Sequence, residues 1–229
     1  MRNFFNQQLD ELKTETLRMG SMVEDELKLA LQALASLDRD LARQVFEADK
    51  VINDLRFELE ARCTKIIGTQ QPVTQDLRCI LAALNMIVDL ERMGDQAKGI
   101  AKALPGILKY PDQTLLPDLQ HMGDEAIQML KMAMEAYTTE DIELAQKVVD
   151  RDERVDRFFN QILSEIMKRV VASQNTPAVE AYYKLLLVAR ELERFGDLAA
   201  NVAHRVIYMA TGFISNPYLA EPARERVRA

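Results

Sequence analysis

The segment LARQVFEADKVIND at 41–54 returns as LAQKVVDRDERVDR at 144–157, with Leu, Ala, Val and Asp kept in place. The spacing is 103 residues, and it also sets Met122 and Gly123 against Met19 and Gly20, and Asp141 against Asp38. A spacing of 102 sets ELERFGD (191–197) against DLERMGD (89–95). The one-residue change falls in the loops around Pro72 and Pro177, where an insertion costs little. Three independent segments agree on one spacing, so the chain is a tandem repeat and both halves must share a fold.

The repeated unit is helical. Gly and Pro together number 15 in 229 residues, about half the usual share, and sheets or barrels need many more turns than that allows. The prolines at 72, 105, 111, 117, 177, 217 and 222 mark the joints, with heptad-like pattern between them. Two further breaks are expected, at SLDRD (36–40), where Ser36 or Asp38 can cap a new helix, and at TTED (138–141), where Thr138 or Thr139 can do so. The pattern predicts six helices, at about 3–35, 39–67, 74–104, 113–136, 140–172 and 177–211. The expected fold is all-α, two three-helix bundles in tandem, over 1–108 and 109–215, with a frayed tail at 216–229.

Composition removes several classes of function. Lys and Arg total 29 against 36 Asp and Glu, a net charge of −7, which argues against nucleic acid as the main ligand. The longest near-apolar windows, 81–88 and 182–189, fall well short of the ~18 residues a membrane helix needs, and the N-terminal stretch carries no signal-peptide pattern. Cys63 and Cys79 lack metal-type spacing and read as inert thiols, which suits a reducing cytoplasm. No phosphate-binding loop, dinucleotide fingerprint, nucleophile elbow or CxxC is present, so the chain reads as a binding or regulatory protein.

Acids interrupt the apolar stripes at matching depths. On the second helix of each repeat the inward positions run Leu41, Val45, Asp49, Ile52 or Asn53, Leu59 and Leu144, Val148, Asp152, Val155 or Asp156, Phe159. On the third they run Leu84, Ile87, Glu91, Asp95, Lys98 and Leu186, Ala189, Glu193, Asp197, Ala200, His204. Residues four apart share a helix face, so each acid pair can point at one spot. Buried carboxylates are costly unless paired or bound to a cation. Oxygen-rich clusters suit hard or borderline cations, and the expected ligands are Asp49, Asn53, Glu91 and Asp95 in repeat one and Asp152, Asp156, Glu193 and Asp197 in repeat two. Ordinary salt bridges from Arg92, Arg194 or Lys98 are the competing reading. Gly94 and Gly196 sit mid-helix between the paired acids, where a small residue permits close packing or ligand access. A ferritin-like di-iron oxidase needs Glu-x-x-His, and neither His121 nor His204 has that partner. A hydrolase whose clusters activate metal-bound water, and a metal-free helical adaptor, both stay open.

A tandem three-helix bundle with acids of this kind on the second and third helices of each half, carrying LERMGD and LERFGD before alanine-rich helix, resembles the PhoU family. The resemblance covers essentially 1–215. It implies a cytoplasmic, non-enzymatic negative regulator of phosphate uptake and phosphate-starvation signalling. The implied partners are the phosphate ABC transporter ATPase and a phosphate-sensing histidine kinase, with a homodimer as the implied assembly. It further implies metal at the acidic motifs, as multinuclear iron or as zinc, manganese or magnesium. Asn53 departs from the family pattern by replacing an acid, which leaves repeat one a negative charge weaker.

Overall fold

The computed structural model describes residues 2–213. Its six long helices are α1 (Arg2–Ser36), α2 (Arg39–Gln70), α3 (Thr74–Ile107), α4 (Leu116–Thr139), α5 (Ile142–Ala172) and α6 (Thr176–Thr211). A short 3-10 turn, Gln113–Leu115, precedes α4, and every regular element among the described residues is helical. The expected tail at 216–229 lies outside the described residues.

α2 runs on to Gln70, and α4 starts at Leu116 and ends at Thr139, each three residues beyond expectation; two further differences have a clear local cause. α3 continues through Pro105 to Ile107, where the Leu108 N–H closes on the Leu104 carbonyl at 3.0 Å. The cap of α5 is Asp141, not Thr138 or Thr139: its carboxylate accepts the Leu144 N–H at 3.0 Å. The two threonine hydroxyls donate back to the carbonyls of Met134 and Glu135 inside α4. Asp38 caps α2 as expected, accepting from Asp40 and Leu41, while Ser36 turns back onto Gln32.

The two helix hairpins close in the same way. Leu37 and Glu140, 103 residues apart, both take left-handed backbone, with φ of 55° and 56°. The following N–H groups, of Asp38 and Asp141, then reach the carbonyls of Ala33 and Ala136 at 2.9 and 3.1 Å. This long bond from beyond a left-handed residue satisfies a carbonyl orphaned at the helix end.

Within each repeat all three helices pack pairwise, and across the repeats α1 meets α4 while α3 meets α6 in the most extensive interhelix contact. α3 is consequently buried on most faces, whereas α2 and α5 flank the assembly and show one apolar stripe each. One continuous apolar core runs through both repeats. The α1–α4 contact is reciprocal: Met134 of α4 fills the space beside Gly20, and Leu31 of α1 fills the space beside Gly123. A Cβ at either glycine would stand 2.7 Å from Met134 Cε or 2.5 Å from Leu31 Cδ1. Gly20 and Gly123, like Leu31 and Met134, are 103 apart, so the repeats meet across a local two-fold relation.

Candidate functional site

The eight residues singled out by their pattern lie on facing helices in two groups, α2 with α3 and α5 with α6. The groups occupy equivalent positions in the two repeats, but their surroundings differ.

In repeat one the acids are matched by cations. Asp49 is only 4% exposed, and the Lys98 ammonium donates to it at 2.7 Å. The same ammonium donates to Asp95 at 2.7 Å, so it bridges α2 and α3. Burial works against the Lys98 charge, but the bonds to the two aspartates outweigh it and raise its pKa above the ordinary value. Glu91 is buried, which raises its carboxyl, and the Arg56 guanidinium 3.5 Å away offsets part of that cost. Asn53 turns onto its own helix, its amide donating to the Asp49 backbone carbonyl at 2.9 Å. Of the cations considered from sequence, Lys98 is thus the one that engages these acids. Arg92 approaches Asp89 instead, at 3.8 Å.

Repeat one also holds an acid that motif reasoning missed. Glu26 of α1 is 1% exposed, and neither carboxylate oxygen has a hydrogen-bond partner among the described residues. It lies over Gly94, with Oε2 2.9 Å from where a Cβ would stand. Burial, then repulsion from Asp49, pushes its pKa up to about 9 against the pull of Lys98. Glu26 therefore keeps its proton at neutral pH. A signal for it exists: Met19, Val23, Glu26 and Ala30 follow the core stripe of α1 at steps of three and four.

In repeat two the acids have no such counterparts. Asp152 leans over Gly196, with Oδ1 3.3 Å from where a Cβ would stand, and that oxygen is buried without a partner among the described residues. Burial, followed by repulsion from Asp197, Asp156 and Glu193, pushes Asp152 up to about 7. Glu193 is raised by burial and by Asp197 and Asp156, against the pull of Arg190 and Arg194. Asp197 is raised by burial and Asp156. Among the described residues no salt bridge involves any of the four. The substitutions explain why: by the repeat spacings Ala200 stands for Lys98, Phe159 for Arg56 and Met129 for Glu26. The neighbouring Arg151 is held by Glu125 of α4 at 2.7 Å.

The chemical fit to a metal therefore differs between the repeats. Repeat two offers four oxygen donors at the rim of the bundle, one with an orphaned buried oxygen, and this donor set suits a hard or borderline cation. Its side chains as placed do not yet converge: among the described residues no three His, Cys, Asp or Glu form a ready cage. In repeat one the donors already hold an ammonium and a guanidinium, so they do not suit a metal. His204 is half-buried with its pKa lowered by burial, and His121 is exposed. Two open clefts, beside Tyr110 and Asp112 and beside Asp10 and Arg62, lie away from both acid groups.

A family model described as the PhoU domain matches the chain twice, over residues 16–104 and 119–206. The chain belongs to the PhoU family. It is 34% identical over 212 residues to a phosphate-specific transport system accessory protein PhoU homolog of Clostridium acetobutylicum, covering 92% of this chain and 96% of that one. It is 32% identical over 208 residues to the phosphate-specific transport system accessory protein PhoU of Escherichia coli, covering 91% and 86%. The crystal structure of PhoU from Pseudomonas aeruginosa matches with a TM-score of 0.86 at 31% identity, over 91% of this chain and all of that one. The phosphate transport system regulatory protein PhoU from Streptococcus pneumoniae matches with a TM-score of 0.84 at 30% identity, over 93% and 99%. Both halves thus match one family domain, in the fold of solved PhoU structures. Its named relatives are accessory proteins of phosphate transport, and no helix among the described residues is long and apolar enough to cross a membrane.

Proposed function

We propose that this member of the PhoU family is a cytoplasmic, non-enzymatic negative regulator of phosphate uptake and phosphate-starvation signalling. It docks on the ATPase of a phosphate ABC transporter and on a phosphate-sensing histidine kinase, and acts as a homodimer. The observation that carries this reading is similarity along nearly the whole chain to relatives named as accessory proteins of phosphate-specific transport. Repeat two contributes a metal site in the same reading, with Asp152, Asp156, Glu193 and Asp197 as ligands. The support is the uncompensated charge there and the orphaned Asp152 oxygen. Iron, zinc, manganese or magnesium would supply charge neutralisation, and the four acids would draw α5 and α6 together around it.

The test is a deletion strain in phosphate-rich medium, together with capture of kinase and transporter subunits on the purified chain. Phosphate-starvation genes are expected to stay on, uptake to run unrestrained, and both partners to be retained. Normal repression with neither partner retained would sink the assignment.

A further inference from the structure

We propose that the Lys98 ammonium fills the cation position of repeat one and so keeps a metal ion out of that repeat. The inference rests on reading the duplicated acids as a metal-binding pattern.

The position of Lys98 is that of a ligated ion. Its Nζ stands 2.7 Å from a carboxylate oxygen of α2 and 2.7 Å from one of α3, bridging the two helices whose acids define the motif. Each motif position of repeat one is engaged. Asp49 and Asp95 hold Lys98, Glu91 faces Arg56, and Asn53 donates to its own helix. An entering metal would have to expel an ammonium held by two charge-assisted bonds, and would find a neutral amide where repeat two has Asp156. It would also meet the positive charge it had displaced, close by in a partly buried setting where screening is weak.

At the three positions that engage the acids of repeat one, the repeats differ in the same direction. Lys98 becomes Ala200, Arg56 becomes Phe159, and Asn53 becomes Asp156, so two cations are lost and one acid is gained. Glu26 adds a second line of observation. It is a nine-tenths buried, unpartnered carboxyl aimed at Gly94 beside the cluster, and repeat two has Met129 in its place. A buried carboxyl with no partner of its own, set beside a lysine-bridged pair, marks a site whose one fixed cation is already shared out between Asp49 and Asp95. α2 is then locked to α3 whatever the metal supply, whereas the joining of α5 to α6 responds to it.

The experiment begins with the full chain carrying Asp152→Asn and Asp197→Asn, stripped with chelator. It is incubated with Mn²⁺ or Zn²⁺, gel-filtered and assayed for retained metal. With Lys98 intact, no ion is expected; one ion per chain would overturn the proposal. Adding Lys98→Ala is expected to open the position and give one ion per chain, lost again on Asp49→Asn. Failure to gain that ion would also overturn the proposal, because Lys98 would then be an ordinary ion pair. Lys98→Met keeps the aliphatic stem and serves if the alanine variant does not fold; its melting temperature should rise on adding Mn²⁺. The arm with Lys98 intact is decisive without either variant. The unaltered chain separates the two readings: absence of metal there removes the repeat-two site, while the Lys98 arms still decide this inference.

Discussion

Repeat one and repeat two share their helices, their closing turns and their reciprocal glycine contacts, yet their acidic groups are balanced in opposite ways. Asp49 and Asp152 occupy the same helical position, but one receives an ammonium and the other faces three further carboxylates. Apolar spacing and turn chemistry have kept the backbone common. Charge has diverged at a handful of positions, and in the reading proposed above those positions decide what each repeat can bind. A duplicated motif thus need not mean a duplicated site.

The largest expected effect lies in Glu26, which repeat two lacks. Its pKa is raised from an ordinary 4.5 to about 9, chiefly by burial. The folded state therefore holds a proton that the unfolded chain releases, and this contribution to stability is complete below about pH 4.5. It is lost progressively as pH rises to about 9, by up to about 1.4 kcal/mol per pH unit. Glu26→Gln should flatten that part of the profile, measured as denaturant midpoints from pH 5 to 9. An unchanged profile would mean that Glu26 is not the buried acid described.

A smaller effect, opposite in sign between the repeats, should follow from one change made twice. Asp49→Asn removes a buried partner of Lys98 and should destabilise the chain by about 2–3 kcal/mol. Asp152→Asn relieves repulsion in the metal-free chain and should stabilise it above pH 7 by about 1 kcal/mol, allowing for solvent screening of a partly exposed group. The sign follows from the raised Asp152 pKa: its contribution to stability fades as pH climbs through about 7. Equal destabilisation in both, by urea titration at pH 8, would erase the contrast.

The fold was largely legible because helix spacing and repeat spacing are local signals. All six helices follow the expected order, and Asp38 caps α2 as read. The misplaced cap of α5 shows where local reading stops: in TTED the two threonines are the obvious candidates, yet hydroxyls in a last turn bond back to carbonyls four residues earlier. The match of Asp141 to Asp38 already held the answer. The reciprocal packing of Gly20 on Met134 and Gly123 on Leu31 was not legible, because it depends on how two finished bundles meet. At the acidic groups, pattern named the right helices, but Asp95, Asp156 and Asp197, read as inward, are exposed, and pattern left open whether Lys98 or a metal balances the acids. That choice depends on side-chain distances across α2 and α3, which spacing along one helix does not contain. Glu26 was overlooked because it belongs to no acid pair, although it lies on the stripe of α1.

The most direct measurement is anomalous scattering from crystals of the unaltered chain soaked in Mn²⁺. One peak is expected, among Asp152, Asp156, Glu193 and Asp197, with Lys98 still bridging Asp49 and Asp95. A peak between Asp49 and Asp95, with the Lys98 side chain turned away, would contradict the assignment of a fixed cation to repeat one and of the open site to repeat two.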